Sequence, residues 1–256
     1  LHRKKGVKYV RRRKRPGSIK WLMKILTLIL ILFASYFFIN SPFFAVSSIK
    51  VSGTKLVSVQ DIVELSGLAK GQNIFKIDRE KAEKKILMSP MVDDVEIERH
   101  LPGTVAVLVT ERTPVALVPI AGGLIQIDVA GYILKKVSAI DKYPLPIVTG
   151  VDLPDTIAVG KQLTSQKLAM GLKMIAQMDA EAKKVIAEVD VFDPQKLRVF
   201  TVQGAEVRLG GADGFQEKFT RFLQVLKKEE EMDRLEDIEY IDVSFSDKPV
   251  VFYRKN

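Results

Sequence analysis

The sequence predicts an α+β protein carried on a single N-terminal membrane span. Three observations in its 256 residues lead there. Residues 25–49 contain no charged side chain. Residues 46–112 read as strand, helix, helix, strand, strand. Residues 115–253 are rich in short strands, interrupted by two amphipathic helical stripes. Helices set against a small sheet form an α+β layer.

The formal net charge of +9 suggests at first a nucleic-acid binder. Its distribution removes that reading. Of 40 Lys and Arg, eleven lie within the first 24 residues, which hold no acid, so 29 bases and 31 acids remain in the rest, a net charge of −2. The absence of Cys excludes disulfides, thiolate metal sites and thiol catalysis. The two histidines, His2 and His100, are far apart, which argues against a histidine-based triad or a multi-histidine metal site.

The strongly apolar run from Trp21 to Ile39 makes a helix of about 28 Å, close to the hydrocarbon thickness of a bilayer. No face of it is polar, which argues against a buried soluble helix. It is too long for a signal peptide, and Phe37-Phe38-Ile39 and Phe43-Phe44 offer no clean Ala-x-Ala cleavage site. Lys24 can snorkel to the interface, Trp21 and Tyr36 suit the interfacial belts, and Asn40-Ser41-Pro42 ends the helix. The topology signal is carried by Arg11, Arg12, Arg13, Lys14, Arg15, Lys20, Trp21 and Lys24. The positive-inside rule places this basic tail in the cytoplasm and residues 40–256 outside, and the tail can also contact anionic lipid.

Ile49 and Val51 alternate with polar residues up to Gly53, a strand and its turn. Ser58 and Asp61 have capping-box spacing before Ile62, with Gly67 as a C-cap. Asp78 can cap a second helix running to Leu87, with Pro90 beyond it. Val95 and Ile97 alternate with acids, Leu101-Pro102-Gly103-Thr104 turns, and Val105, Val107 and Val109 alternate again.

These residues, above all Ile49-Lys50-Val51-Ser52-Gly53, Gly71-Gln72-Asn73-Ile74-Phe75, Leu101-Pro102-Gly103-Thr104 and Glu111-Arg112-Thr113-Pro114, resemble a POTRA domain. With a single span upstream and no β-barrel downstream, the chain resembles the FtsQ/DivIB bacterial cell-division family in particular.

In the second part, residues 115–119 read as a strand, 123–134 as a hairpin turning near Asp128–Gly131, and 145–150 as a further strand. Leu168, Leu172 and Ile175 mark an amphipathic helix over 164–178. Strands are expected at 185–192, 197–202 and 206–209, and the stripe Phe215, Phe219, Phe222, Leu223, Leu226 reads as a core-facing helix. The acidic stretch 229–237 reads as a solvated helix end or loop, with a docking site for basic partners as the alternative. Residues 238–245 read as a strand with Ile241, Val243 and Phe245 on one face, followed by a turn at Lys248-Pro249 and a last apolar run, 250–253. The domain limits are then 1–20 for the tail, 21–41 for the span, 44–113 for the POTRA domain and 114–256 for a mostly β domain with flanking helices.

No nucleotide-binding, zincin or nucleophile-elbow motif occurs. Two Ser-x-x-Lys matches, Ser47–Lys50 and Ser52–Lys55, sit where a membrane-tethered Ser/Lys hydrolase would place a dyad, but on a strand and its turn and without companion motifs. The loop Gly210–Gly214 before a helix could cradle an anion. Asp93, Asp94, Glu96 and Glu98 alternate across both faces of a strand, unlike a calcium loop.

The family resemblance implies a non-enzymatic scaffold of the divisome, without cofactor, metal, small-molecule substrate or nucleic acid. It implies two small bitopic partners, FtsB (DivIC in Gram-positive naming) and FtsL, and a role in controlling septal peptidoglycan synthesis at the division site. Partner binding in the family lies mainly on the C-terminal strands, and the matching positions are Tyr240, Ile241, Val243, Ser244, Phe245, Val250, Val251, Phe252 and Tyr253. In Gram-negative relatives an Arg-aromatic pair occupies the place of Ser244-Phe245, so a salt bridge there does not carry over. The resemblance also leaves the POTRA domain as a second docking site, used in septal targeting. The expected physical mode is strand addition to a free sheet edge. The alternatives are the hydrolase above and a POTRA protein of secretion or assembly.

Overall fold

The computed structural model describes residues 17–138, 145–245 and 248–254. The basic positions Arg11, Arg12, Arg13, Lys14 and Arg15 lie outside the described residues. Two compact units are present. Of the described residues, one gathers those up to Lys50 with 68–78 and 98–106, and the other holds 51–67, 79–97 and those from 107 onward.

The apolar run forms α1, Gly17–Ile39. Residues Ile19–Ile39 are long and apolar enough to cross a membrane, and none of the window is buried against the rest of the chain. The helix ends at Ile39, where the Asn40 side-chain amide donates to the Tyr36 carbonyl (2.8 Å) and Pro42 opens a separate 3₁₀ turn, as the Asn40-Ser41-Pro42 run leads one to expect. Lys20, Trp21 and Lys24 all lie on α1.

The first sheet has three strands, β1 (Ser48–Ser52), β2 (Val92–His100) and β3 (Thr104–Glu111), in the order β1-β3-β2. Between β1 and β2 lie α2 (Val59–Ser66) and α3 (Arg79–Ile86). The chain order is thus β-α-α-β-β, as the periodicity predicts. Ser58 caps α2 by accepting the Asp61 amide, and Gly67 closes it at φ +69°. Val105, Val107 and Val109 are buried, as their alternation requires.

Gly53, at φ +88°, has the Val109 carbonyl oxygen 1.9 Å from where a Cβ would stand, so β1 can turn this close to β3 only without a side chain. The loop after it is fastened by Glu111, whose carboxylate accepts the amides of Lys55 (2.9 Å), Leu56 (2.9 Å) and Val57 (2.8 Å). Burial pushes this carboxyl up, but the three backbone hydrogen bonds and the Lys55 charge outweigh it and hold the group below its ordinary value. A carboxyl lowered in the folded state gives stability that is present above its unfolded pKa and lost as pH falls through the folded one. The Glu111→Gln variant is expected to be less stable at neutral pH and to lose less than the native chain on acidification below about 4.5. Thermal melts across that range check this, and parallel curves would refute it.

Among the described residues the second sheet has nine strands. They are β4 (Ala116–Ile120), β5 (Gly123–Ile127), β6 (Ile133–Val137), β7 (Ile147–Thr149), β8 (Ile186–Asp190), β9 (Leu197–Thr201), β10 (Glu206–Gly210), β11 (Ile238–Asp242) and β12 (Val250–Tyr253), in the order β12-β11-β10-β9-β8-β7-β4-β5-β6. The pairs β4/β7, β7/β8 and β10/β11 are parallel. Parallel neighbours need crossovers, and helices supply two of them. Helices α4 (Gln166–Gln177) and α5 (Ala182–Val185) lie between β7 and β8, and α6 (Phe215–Glu231) between β10 and β11. The Leu168/Leu172/Ile175 stripe of α4 and the Phe215/Phe219/Phe222 stripe of α6 share one core with Val189, Val199, Val207 and Ile241. Leu223 and Leu226 pack against it half-buried.

Candidate partner-binding edge of the second sheet

Among the described residues β12 is the end strand of the sheet and pairs with β11 alone. The pairing is antiparallel, with Tyr240 opposite Phe252, Ile241 opposite Val251 and Asp242 opposite Val250. The Arg254 amide donates to the Asp237 carbonyl at 2.8 Å, toward β11. By the two-residue period of a strand, the amides of Val250 and Phe252 point the same way, and those of Val251 and Tyr253 point out of the sheet edge.

The core-facing side of this edge is fixed. Val251 and Tyr253 are half-buried against the core. The Tyr253 hydroxyl donates to Glu229 at the end of α6 (2.8 Å), and Arg234 pairs with the same carboxylate oxygen (3.0 Å) while lying over the Tyr253 ring (5.2 Å). Burial first, and the hydrogen bond to Glu229 second, raise the Tyr253 phenol above its ordinary value. Glu229 is therefore not part of a solvated helix end, as the acidic run suggests. It is 4 % exposed, because one helical position in that run points at the sheet and has both a hydroxyl and a guanidinium to satisfy it.

The opposite side carries a ladder of polar and aromatic side chains. In one row Asp190, Arg198, Arg208, Asp242 and Val250 stand on successive strands, and in the next Glu188, Phe200, Glu206, Tyr240 and Phe252 do. Arg198 pairs with Asp190 (2.5 Å) and Arg208 with Glu206 (3.0 Å). The hydrogen bond to Glu206 raises the Arg208 guanidinium further. Arg208 covers the Tyr240 ring at 3.7 Å, and Tyr240 stacks on Phe252 with centroids 5.0 Å apart at 11°. A groove of about 430 Å³ lies along this face, lined by Arg198, Glu206, Arg208, Asp242 and Ser244 among others. Val250, Phe252 and Phe245 are exposed.

The nine positions expected at the site thus divide. Ile241 and Val243 are fully buried core. Tyr240, Val250 and Phe252 stand on the open face at the edge, and Val251 and Tyr253 offer backbone. Ser244 and Phe245 fall outside a strand, since β11 stops at Asp242 and not at 245. The cause is local: the Asp242 carboxylate accepts both the amide (2.9 Å) and the hydroxyl (2.5 Å) of Ser244, which turns the chain out of the ladder. Phe245, 68 % exposed, consequently does not share a face with Ile241 and Val243. Arg208, Glu206 and Arg198 join them on the open face, where the alternation along 197–201 and 206–210 puts them opposite the core residues.

Three of the other candidate groups have partners within the fold. The Ser47 hydroxyl donates to the Gly103 carbonyl (3.0 Å). Asp93 pairs with Arg112 (2.9 Å). The Gly210–Gly214 loop is filled by the chain's own Lys218, whose ammonium donates to the Gly211 carbonyl (3.0 Å) and lies 3.5 Å from Asp213.

The described residues thus combine one N-terminal helix long and apolar enough to cross a membrane, a small three-stranded α+β domain and a larger sheet. Residues 44–112 match the family model of the FtsQ-type POTRA domain, and residues 116–244 that of the C-terminal region of the cell-division protein FtsQ/DivIB. The chain is 30% identical to the cell-division protein FtsQ of Geotalea daltonii over 216 residues, 83% of this chain and 77% of the relative. It is 32% identical to FtsQ of Myxococcus fulvus over 74% of this chain and 66% of the relative, and 28% identical to DivIB of Clostridium acetobutylicum over 82% and 83%. The chain belongs to the FtsQ/DivIB family of cell-division proteins.

Proposed function

We propose that this chain is a non-catalytic scaffold of the divisome whose β12 edge takes up an extended segment of a small bitopic division protein, FtsB/DivIC-like or FtsL-like, and so helps control septal peptidoglycan synthesis. Its tail, residues 1–20, stays in the cytoplasm against anionic lipid. The span crosses once, and the POTRA domain (44–113) and the β domain (114–256) lie outside, gathered at the septum. The observation that carries the reading is the edge of β12, unpaired among the described residues, which offers outward backbone amides beside an exposed apolar row of Val250 and Phe252. Backbone hydrogen bonds would supply affinity, and the row beside them specificity.

A photo-crosslinking residue at Val250, which is 52 % exposed, tests this without cutting into the core. In dividing cells it is expected to capture a small bitopic division protein at the septum. The same probe at Phe192, 70 % exposed elsewhere on the sheet domain, should not. Equal capture from both positions, or none from Val250, would remove the edge as the docking site.

A further inference from the structure

We propose that Phe43 and Phe75 form an aromatic foot that seats in the outer phospholipid interface of the membrane, beside the end of α1. The inference rests on α1 spanning the bilayer.

The geometry starts at the last turn of that helix. Phe38 lies 5.2 Å, centroid to centroid, from Phe44 and 6.0 Å from Phe43, and Phe44 lies 5.0 Å from Phe75. Four rings therefore run without a break from inside the span to the 3₁₀ turn Ile74–Lys76. The turn is tied to the helix end, because the Asn73 amide donates to the Ile39 carbonyl at 2.7 Å. Residues 45 and 46 bind it as well, through the Ala45/Asn73 bridge and the Val46 amide on the Gln72 carbonyl.

Depth follows from length. The 21 residues of Ile19–Ile39 rise about 32 Å, so Ile39 stands at the edge of a hydrocarbon core of about 30 Å. Headgroup layers add about 5–7 Å on each side. Phe75 is two ring contacts, of 5.2 and 5.0 Å, from Phe38, and its turn is held to the Ile39 carbonyl by Asn73, which puts the ring within reach of the headgroup layer. Its exposure of 42 %, and the 61 % of Phe43, are then surfaces presented to lipid. An aromatic ring favours that layer, and the adjacent exposed Lys76 has phosphates within reach there. Such a foot fixes the attitude of the segment 71–76 relative to the bilayer plane, which a single helix end leaves free to swivel.

Trp21 is the sole tryptophan, which makes the test direct. The full chain is reconstituted in phosphatidylethanolamine/phosphatidylglycerol vesicles carrying bromine near the top of the acyl chains. In a Trp21→Phe background, Phe75→Trp is expected to lose about half of its emission to the brominated lipid, as an interfacial aromatic does. Phe43→Trp, at the more exposed of the two positions, should behave alike, and Phe192→Trp should keep its emission. If Phe75→Trp and Phe43→Trp are as unquenched as Phe192→Trp while native Trp21 is quenched, the foot is refuted and the span stands. If Trp21 is unquenched too, the spanning reading fails and takes the foot with it.

Discussion

Replacement of Arg112 by alanine is expected to cost the fold about 3–5 kcal/mol, the range for leaving one partner of a buried ion pair uncompensated. Arg112 follows β3 directly and is 13 % exposed at its side chain, and Asp128 opposite it is 6 % exposed. The two are joined at 2.7 Å. Asp128 spends one carboxylate oxygen on the amides of Ala130 (3.0 Å) and Tyr132 (2.8 Å), which makes the turn between β5 and β6. The other oxygen has the Arg112 guanidinium. The same guanidinium lies 3.8 Å over the Tyr132 ring and reaches Asp93 at 2.9 Å. Asp93 is 52 % exposed, so that arm adds little.

Without Arg112, Asp128 keeps its turn but holds a buried charge with one oxygen unanswered. The double variant Arg112→Ala, Asp128→Asn is therefore expected to recover a large part of the loss, and Arg112→Lys little, because a lysine cannot fork between two carboxylates while stacking on a ring. Chemical denaturation of the detergent-solubilised chain measures both. A loss below about 1 kcal/mol for Arg112→Ala would show the pair to behave as a surface one.

Glu111 and Arg112 also show where sequence reading succeeds and where it stops. The strands carrying Val105, Val107 and Val109, the Ser58 cap and the Gly67 stop are legible because each rests on neighbours within a few residues. The turn at Asp128–Gly131 is legible for the same reason. Its arginine is not, because 16 residues separate the pair and nothing local distinguishes Arg112 from a solvated one. Glu229 is hidden still better, since it stands among acids and only the packing of α6 on the sheet selects it. The site divides the same way. Alternation identifies Ile241 and Val243 as inward and Tyr240 as outward. That β12 ends the sheet depends on the strand order β12-β11-β10, which includes a parallel crossover that periodicity does not encode. The limit of β11 depends on one carboxylate, Asp242, choosing the Ser244 backbone and hydroxyl over solvent.

The Val251→Pro variant is expected to weaken capture of a bitopic partner's extended segment at least about tenfold, through loss of one edge hydrogen bond and the bulk of the ring in its place. Proline is tolerated on an edge strand when the amide it removes faces away from the neighbouring strand. The amide of Val251 does, by the register that the Arg254–Asp237 bond sets, so the pairing of β12 with β11 survives. The stability cost is then confined to the half-buried valine side chain, about 1 kcal/mol. Two further variants separate the possible causes. Val251→Ala loses the same packing but keeps the amide, and should bind like the native chain. Phe252→Pro removes an amide that points at β11, and should lose both binding and the ordered edge, together with the Tyr240 stack. Titration with a labelled segment of the partner gives the affinities, and melts give the stabilities. If Val251→Pro binds as tightly as Val251→Ala, the outward backbone of β12 takes no part in recognition. Affinity would then have to come from the side-chain face, where Arg208, Tyr240 and Phe252 form the continuous surface beside the groove.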